Sequence, residues 1–215
     1  MRIGILGILI LTYCGMICSS FQLPDVLPFP KQTNTWDSSL LAKAFVAAHE
    51  YDTSMTDTER DVIYYCNLAR LDPKKFADTY VTDYIKTNVK KETSYTRSLV
   101  RDLKKARPMY VLQGSQDLYQ CAYDHAVKSG KKGTTGHQEL VKRMKKFAPA
   151  RNPYGENCDY GNDNALDIVM SWLIDEGVSD LSHRKNMLDK EYTSAGVSIQ
   201  PHKKMRVNAV MDFGR

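Results

Sequence analysis

Residues 194–213 read SAGVSIQPHKKMRVNAVMDF. Met205, Val207, Ala209, Met211 and Phe213 alternate there with Arg206, Asn208, Val210 and Asp212, the two-residue period of a strand. Ser194 to Gln200 is a second strand, and Pro201 to Lys204 between them reads as a turn, so the stretch predicts a β-hairpin. Upstream the period is helical. Thr56-Asp57-Thr58-Glu59 is a capping box, in which hydroxyl and carboxylate each accept from an otherwise unpaired amide. Val62, Ile63, Cys66 and Ala69 follow at helical spacing, and Asp72-Pro73 ends that helix and starts the next. The second helix carries Phe76, Ala77, Tyr80, Val81, Tyr84 and Ile85; a third carries Leu99, Val100, Leu103 and Ala106. Ser115 is expected to cap a fourth, with Leu118, Cys121, Ala122, His125 and Ala126 inward and Gly130 and Gly133 closing it. Gln138 to Phe147 is weakly amphipathic. A sixth helix, capped by Asn162 or Asp163, carries Ala165, Ile168, Val169, Trp172 and Leu173 and ends at Gly177. Helices first, a hairpin last and few βαβ alternations predict an α+β domain.

The chain has 215 residues, 42% hydrophobic and 26% charged, with a formal charge of +5. That composition excludes disordered, collagen-like and multi-span membrane chains. So mild a charge, with no Arg-rich stretch, argues against a nucleic-acid partner. Met1-Arg2, the apolar run Ile3 to Tyr13 and small residues from Gly15 to Ser20 have the order of a secretory signal peptide, residues 1–20. The run is shorter than the roughly twenty apolar residues of a span, so no transmembrane segment is expected in the mature chain. The bulky Tyr13 before Cys14 argues against lipid anchoring there. A secreted protein, extracellular or periplasmic, is therefore expected. Residues 21–55, with Pro24, Pro28 and Pro30, read as a tail or linker; Ser38 to His49 within it is a short helix with Leu41, Phe45 and Val46 on one face. The domain proper is residues 56–215. Beyond the signal peptide only Cys66, Cys121 and Cys158 remain, enough for one disulfide at most and without the close pairs of a structural zinc site. A hydrophobic core must hold the fold.

Of the five histidines, His49, His125, His137, His183 and His202, no two have the four-residue spacing of a helical zinc-protease site. There is no Gly-x-Ser-x-Gly elbow and no Gly-rich phosphate loop. Three segments place titratable groups beside turn residues: Gly136-His137, Tyr154-Gly155-Glu156-Asn157-Cys158, and Ser182-His183-Arg184-Lys185-Asn186-Met187-Leu188. Elsewhere the plain readings are favoured: His125 as a satisfied core histidine, His202 exposed in the turn, Cys158 as a buried small hydrophobe or half a disulfide, and Lys142-Arg143-Met144-Lys145-Lys146 as a solvated helix face.

Taken in order, these segments resemble the CAP superfamily, the cysteine-rich secretory, antigen 5 and pathogenesis-related proteins, and in particular its cysteine-poor SCP-like members. The resemblance runs from Thr56 to Phe213. It rests on Asn67-Leu68-Ala69-Arg70 with Asp72-Pro73, on Gly136-His137, on Gly155-Glu156-Asn157, on Trp172 and Gly177-Val178, on His183-Arg184-Lys185-Asn186-Met187-Leu188 and on Ala195-Gly196-Val197. It implies an α-β-α sandwich around a small antiparallel sheet. It also implies a surface cleft holding His137, His183 and Glu156, with a second acid three residues after the tryptophan. That residue is Asp175 here rather than glutamate, and Glu176 beside it is an alternative. Asn157, Arg184 and Asn186 are read as supporting residues.

Neutral imidazoles with a neighbouring carboxylate suit a divalent cation such as Zn²⁺, with His137 and His183 as the metal ligands. Three functions follow: a secreted protein whose cleft binds a cation, a peptide, a lipid or a protein; a metal-assisted, peptidase-like hydrolase; or a non-catalytic interaction domain whose cleft only ties loops together. No nucleophile is evident, since Ser182 adjoins His183 in sequence and such neighbours seldom form a dyad. Binding is therefore favoured over catalysis.

Overall fold

The structure, a computed structural model, describes residues 36–50 and 54–215. The expected signal peptide and most of the proline-bearing tail lie outside the described residues.

The hairpin forms as read, and it is the centre of the sheet. Strands β1 (Gln113–Gly114), β2 (Tyr154–Tyr160), β3 (Ser194–His202) and β4 (Arg206–Gly214) hydrogen-bond in the order β1-β3-β4-β2. β3 and β4 are antiparallel, from Ser194 opposite Gly214 to His202 opposite Arg206, and β2 is antiparallel to β4. Only the two-residue β1 is parallel. The turn is tighter than expected, because β3 continues through Pro201 and His202. His202 is buried rather than exposed: its Nδ1 accepts from the amides of Lys204 and Met205, and its Nε2 lies 3.1 Å from the Thr134 carbonyl.

Both faces of the sheet are covered by helices. Helix α6 (Gln116–Lys132), with α7 (Leu140–Phe147) beside it, lies against one face. On that side Asn208 donates to the Ala126 carbonyl and to Ser129 Oγ, and Val210 packs with Ala122, Ala126 and Cys158. The alternation sends Val207, Ala209, Met211 and Phe213 to the opposite layer, built on α2 (Asp57–Leu71) and α8 (Ala165–Ile174). This is why β4 is buried on both faces from Val207 onward. The packing of α6 is close: a Cβ at Gly196 would stand 2.0 Å from the Tyr119 amide nitrogen. The architecture is an α-β-α sandwich.

In α2 the capping box is complete. Thr56 Oγ1 accepts from the Glu59 amide and Glu59 Oε2 from the Thr56 amide. Glu59 Oε1 also accepts from the Ile199 amide at 2.7 Å, closing the edge of β3 where β1 has ended. Asn67 exchanges two hydrogen bonds with the backbone of Leu112. Arg70, fully buried, donates to the carbonyls of Tyr110, Met187, Asp189 and Tyr192. Asp72 caps α3 (Pro73–Phe76), and a π-helical turn at Ala77–Val81 leads into α4 (Thr82–Asn88). Helix α5 (Ser94–Lys105) buries Leu99 and Leu103.

Some local expectations are corrected. Ser115 precedes α6, but its hydroxyl is spent on the Asp117 carboxylate and does not cap. Asn164, not Asn162 or Asp163, caps α8, because its Oδ1 reaches the amides of Leu166 and Asp167. In α1 (Ser38–His49) the buried side chains are Ala44, Ala47 and Ala48, and Leu41, Phe45 and Val46 are half-buried. Alanines let α1 approach α2 closely. Cys66, Cys121 and Cys158 are all free thiols and buried, so no disulfide joins them. No helix among the described residues is long and apolar enough to cross a membrane.

Candidate functional site

Gly155-Glu156-Asn157 is strand rather than loop, and its alternation divides the motif between the two faces of the sheet. Glu156 faces α6 and α7. Its Oε1 lies 2.8 Å from His137 Nδ1, and its Oε2 accepts from Arg143 Nη1 at 2.7 Å. Asn157 faces the other layer, where its Nδ2 donates to the His183 carbonyl and its Oδ1 accepts from Asn186. Gly155 must be small: a Cβ there would lie 2.5 Å from the Tyr192 hydroxyl.

His137 is held by its neighbour. Gly136 takes a left-handed conformation (φ 99°), its amide donates to the Tyr160 hydroxyl, and its carbonyl lies 2.8 Å from His125 Nε2. His125 is thus the buried, satisfied histidine expected, but it also lies 4.0 Å from Glu156 and so borders the site.

His183 opens the short helix α9 (Ser182–Met187). The acid beside it is Asp175. This residue follows the last turn of α8 in a left-handed conformation (φ 59°), so α8 ends before Gly177. Asp175 Oδ1 lies 2.7 Å from His183 Nδ1, and Oδ2 accepts from the Arg184 amide. The left-handed turn is what lets the shorter acid reach the imidazole. Glu176 is exposed and accepts from the Thr93 hydroxyl instead; it is not brought to the histidines. Arg184 is buried and ties α8 to α5 through the carbonyls of Leu173, Ile174 and Tyr95 and the carboxylate of Asp102.

The two imidazoles stand with ring centroids 6.4 Å apart. Each Nδ1 is on a fully buried carboxylate, while the side chains themselves are 47% (His137) and 20% (His183) exposed. A cavity of about 610 Å³ adjoins His183, walled by Val89, Thr96, Cys158 and Trp172 together with Asp175. Burial alone would raise the Glu156 pKa. The hydrogen bonds from His137 and Arg143, and the Arg143 charge, overcome it and bring the carboxyl down to about 2. Asp212, opposite Glu156 on β4, goes the other way: full burial and the Glu156 charge hold it well above the usual carboxylate range. Burial also pushes the Cys158 thiol well up.

Arg143 is the residue the charge run concealed. Lys142, Lys145 and Lys146 are exposed as a solvated face, but Arg143 is buried on Glu156 and 3.9 Å from Asp212. The signal was in the spacing: Leu140, Arg143, Met144 and Phe147 form one helical stripe, and three of the four are apolar.

The model of the cysteine-rich secretory protein family, CAP, matches residues 63–213. No curated protein matches the sequence. Among solved structures, an outer surface protein from Borrelia burgdorferi is similar at 17% identity and a TM-score of 0.44, covering 68% of this chain and 94% of its own. The CAP domain of enterococcal PrgA is similar at 19% identity and a TM-score of 0.38, over 77% of this chain and 80% of that one. An extracellular protein containing an SCP domain from Bacillus anthracis is similar at 19% identity and a TM-score of 0.41, over 56% of this chain and 38% of its own.

Proposed function

The chain belongs to the cysteine-rich secretory protein (CAP) family, and on that premise we propose that it is a secreted binding protein whose cleft takes a divalent cation of the Zn²⁺ class between His137 and His183. One observation carries this reading: each histidine has its Nδ1 on its own buried carboxylate, Glu156 for His137 and Asp175 for His183. A carboxylate on Nδ1 fixes the tautomer that leaves the Nε2 lone pair free and raises its basicity, the usual support of a metal-binding imidazole. The donor set fits the ion. Two neutral imidazoles are borderline-soft ligands of the kind zinc takes, and two protein ligands leave positions for water or a ligand group. Bound there, the ion would supply a Lewis acid. The chain would supply the two Nε2 donors, the carboxylates that orient them, and the adjoining cavity to receive an apolar group of a peptide, lipid or protein ligand. The apolar run at residues 3–13 supports secretion.

The test is calorimetric titration of Zn²⁺ into the Cys158→Ser chain, which lacks the thiol beside the cleft, compared with the same chain carrying His183→Ala. Heat in the first that disappears in the second, with circular dichroism unchanged, is expected. No heat in the first, or equal heat in both, would refute the reading.

A further inference from the structure

Behind the cleft lies a second set of donors. His125, Glu156 and Cys158 are buried, and one donor atom from each lies within 4.8 Å of the others. His137 Nδ1 adjoins them, 2.8 Å from Glu156 Oε1 and 3.7 Å from Cys158 Sγ. We propose that His125 Nε2, Glu156 Oε1 and Cys158 Sγ, with His137 Nδ1 beside them, form a buried site for a thiophilic divalent ion of the Zn²⁺ class. It uses neither His183 nor Asp175.

The spacing suits a tetrahedral ion. Metal–ligand distances of about 2.0–2.3 Å put neighbouring ligands about 3.3–3.8 Å apart. Cys158 Sγ and His137 Nδ1 are already at 3.7 Å, and His125 Nε2 and Glu156 Oε1 are at 4.0 Å. The ligand types also suit it: one thiol, one carboxylate and imidazole, a mixture that favours zinc-like ions over magnesium or calcium. The charges are nearly balanced. A thiolate and a carboxylate offset the divalent ion; Arg143 stays on the other Glu156 oxygen, and its remaining positive charge faces the Asp212 carboxyl at 3.9 Å. A way in exists on two sides. Cys158 lines the 610 Å³ cavity, and His125 and Arg143 line another of about 270 Å³.

Binding is a ligand exchange without redox change. The Cys158 S–H bond breaks and its proton passes to solvent. His125 keeps one ring proton, now on Nδ1, and gives the Nε2 pair to the ion. The contacts of His125 Nε2 with the Gly136 carbonyl and of His137 Nδ1 with Glu156 are given up; His137 joins the ion only by carrying its ring proton on Nε2 instead of Nδ1, so this site and the cleft site are alternatives at His137.

The probe is Co²⁺ added to the full chain, read by the thiolate-to-cobalt charge-transfer band in the near ultraviolet. The band is expected in the parent, unchanged in His183→Ala, weakened in His125→Gln and absent in Cys158→Ser. No band in the parent overturns the proposal. So does a band that survives in Cys158→Ser, which would belong to another cysteine of the chain, or one lost in a folded His183→Ala. Cys158→Ser changes a single atom and decides the question even where His125→Gln does not fold. The zinc experiment in the Cys158→Ser background reports on the cleft alone, so failure there and failure here are separable.

Discussion

Glu156 and Asn157, adjacent on β2, serve the two histidines from opposite faces of the sheet: Glu156 takes the imidazole of His137, and Asn157 holds the backbone carbonyl of His183. The cleft therefore sits at the β2 edge of the sheet, where the α6 layer and the α8–α9 layer meet. Each histidine depends on a different layer, and the strand alternation fixes their relative position. The acid on the second side is Asp175, held by the turn that ends α8.

That arrangement makes Asp175 a positioning residue with a measurable share in cation affinity. Removing a carboxylate that orients a metal-binding histidine typically costs about 10–100-fold in metal affinity. Asp175→Asn in the Cys158→Ser background is expected to weaken Zn²⁺ by that factor in calorimetry. Glu176→Gln, whose carboxylate accepts from Thr93 and is not on either histidine, should leave affinity unchanged. Equal loss in both variants would show that the helix end, not the carboxylate, matters.

Glu156 and Asp212 set opposite pH dependences. The Glu156 carboxyl is at about 2 in the folded chain against an ordinary value of 4.5. Its contribution is present above about pH 4.5 and is lost as pH falls towards 2. Asp212 is raised, so its contribution is fully present below the ordinary aspartate range and is lost progressively as pH rises above that range and through its raised folded value. Denaturant melts of Asp212→Asn should therefore show a gain over the parent at pH 7 that shrinks below pH 4. Glu156→Gln leaves Arg143 buried without its carboxylate, and such losses run to roughly 3–5 kcal/mol. Its melts should be lower at pH 7 and flatter towards acid.

How far the sequence could be read depended on whether a residue's environment left a period behind. The hairpin, the capping box and Asp72-Pro73 are local devices, and they appear where their spacing puts them. Strand β2 left no such trace. Its residues, Tyr-Gly-Glu-Asn-Cys-Asp-Tyr, are polar and small because both faces are enclosed by helices and stocked with site groups, so neither apolar alternation nor an apolar run marks it. Arg143 was hidden among lysines that do face water. Asp175 is named by its place three residues after Trp172, with its neighbour Glu176 as the alternative, and the left-handed end of α8 is what separates the two.

Arg70 is another buried cation, and its role is structural. It pairs with four backbone carbonyls and holds the 187–192 segment after α9 against the end of α2. Those carbonyls are divergent, and a lysine ammonium has only three donors on a flexible stem. Arg70→Lys is expected to lower the melting temperature, with a loss of at least about 2 kcal/mol for buried acceptors left unpaired. Amide exchange should rise across residues 187–192 and not in α6.

Gly196 tests the layer packing itself. Its φ is ordinary, so conformational freedom is not the reason for glycine there. The reason is space: a Cβ would meet the Tyr119 nitrogen at 2.0 Å and the Leu118 carbonyl carbon at 2.4 Å, both backbone atoms that no rotamer change can move. Overpacking of a core typically costs about 1–3 kcal/mol where side chains can yield. Here helix α6 must shift as a body, so Gly196→Ala is expected to reach or exceed the upper end of that range in a thermal melt. Because α6 carries His125 and borders His137, the same variant should weaken the cobalt charge-transfer band even where it folds. Gly177→Ala is the control, since nothing lies within 4 Å of a Cβ there and the only cost is that of its left-handed φ of 83°. If Gly196→Ala melts with the parent, the sheet and α6 are not packed as closely as this geometry requires.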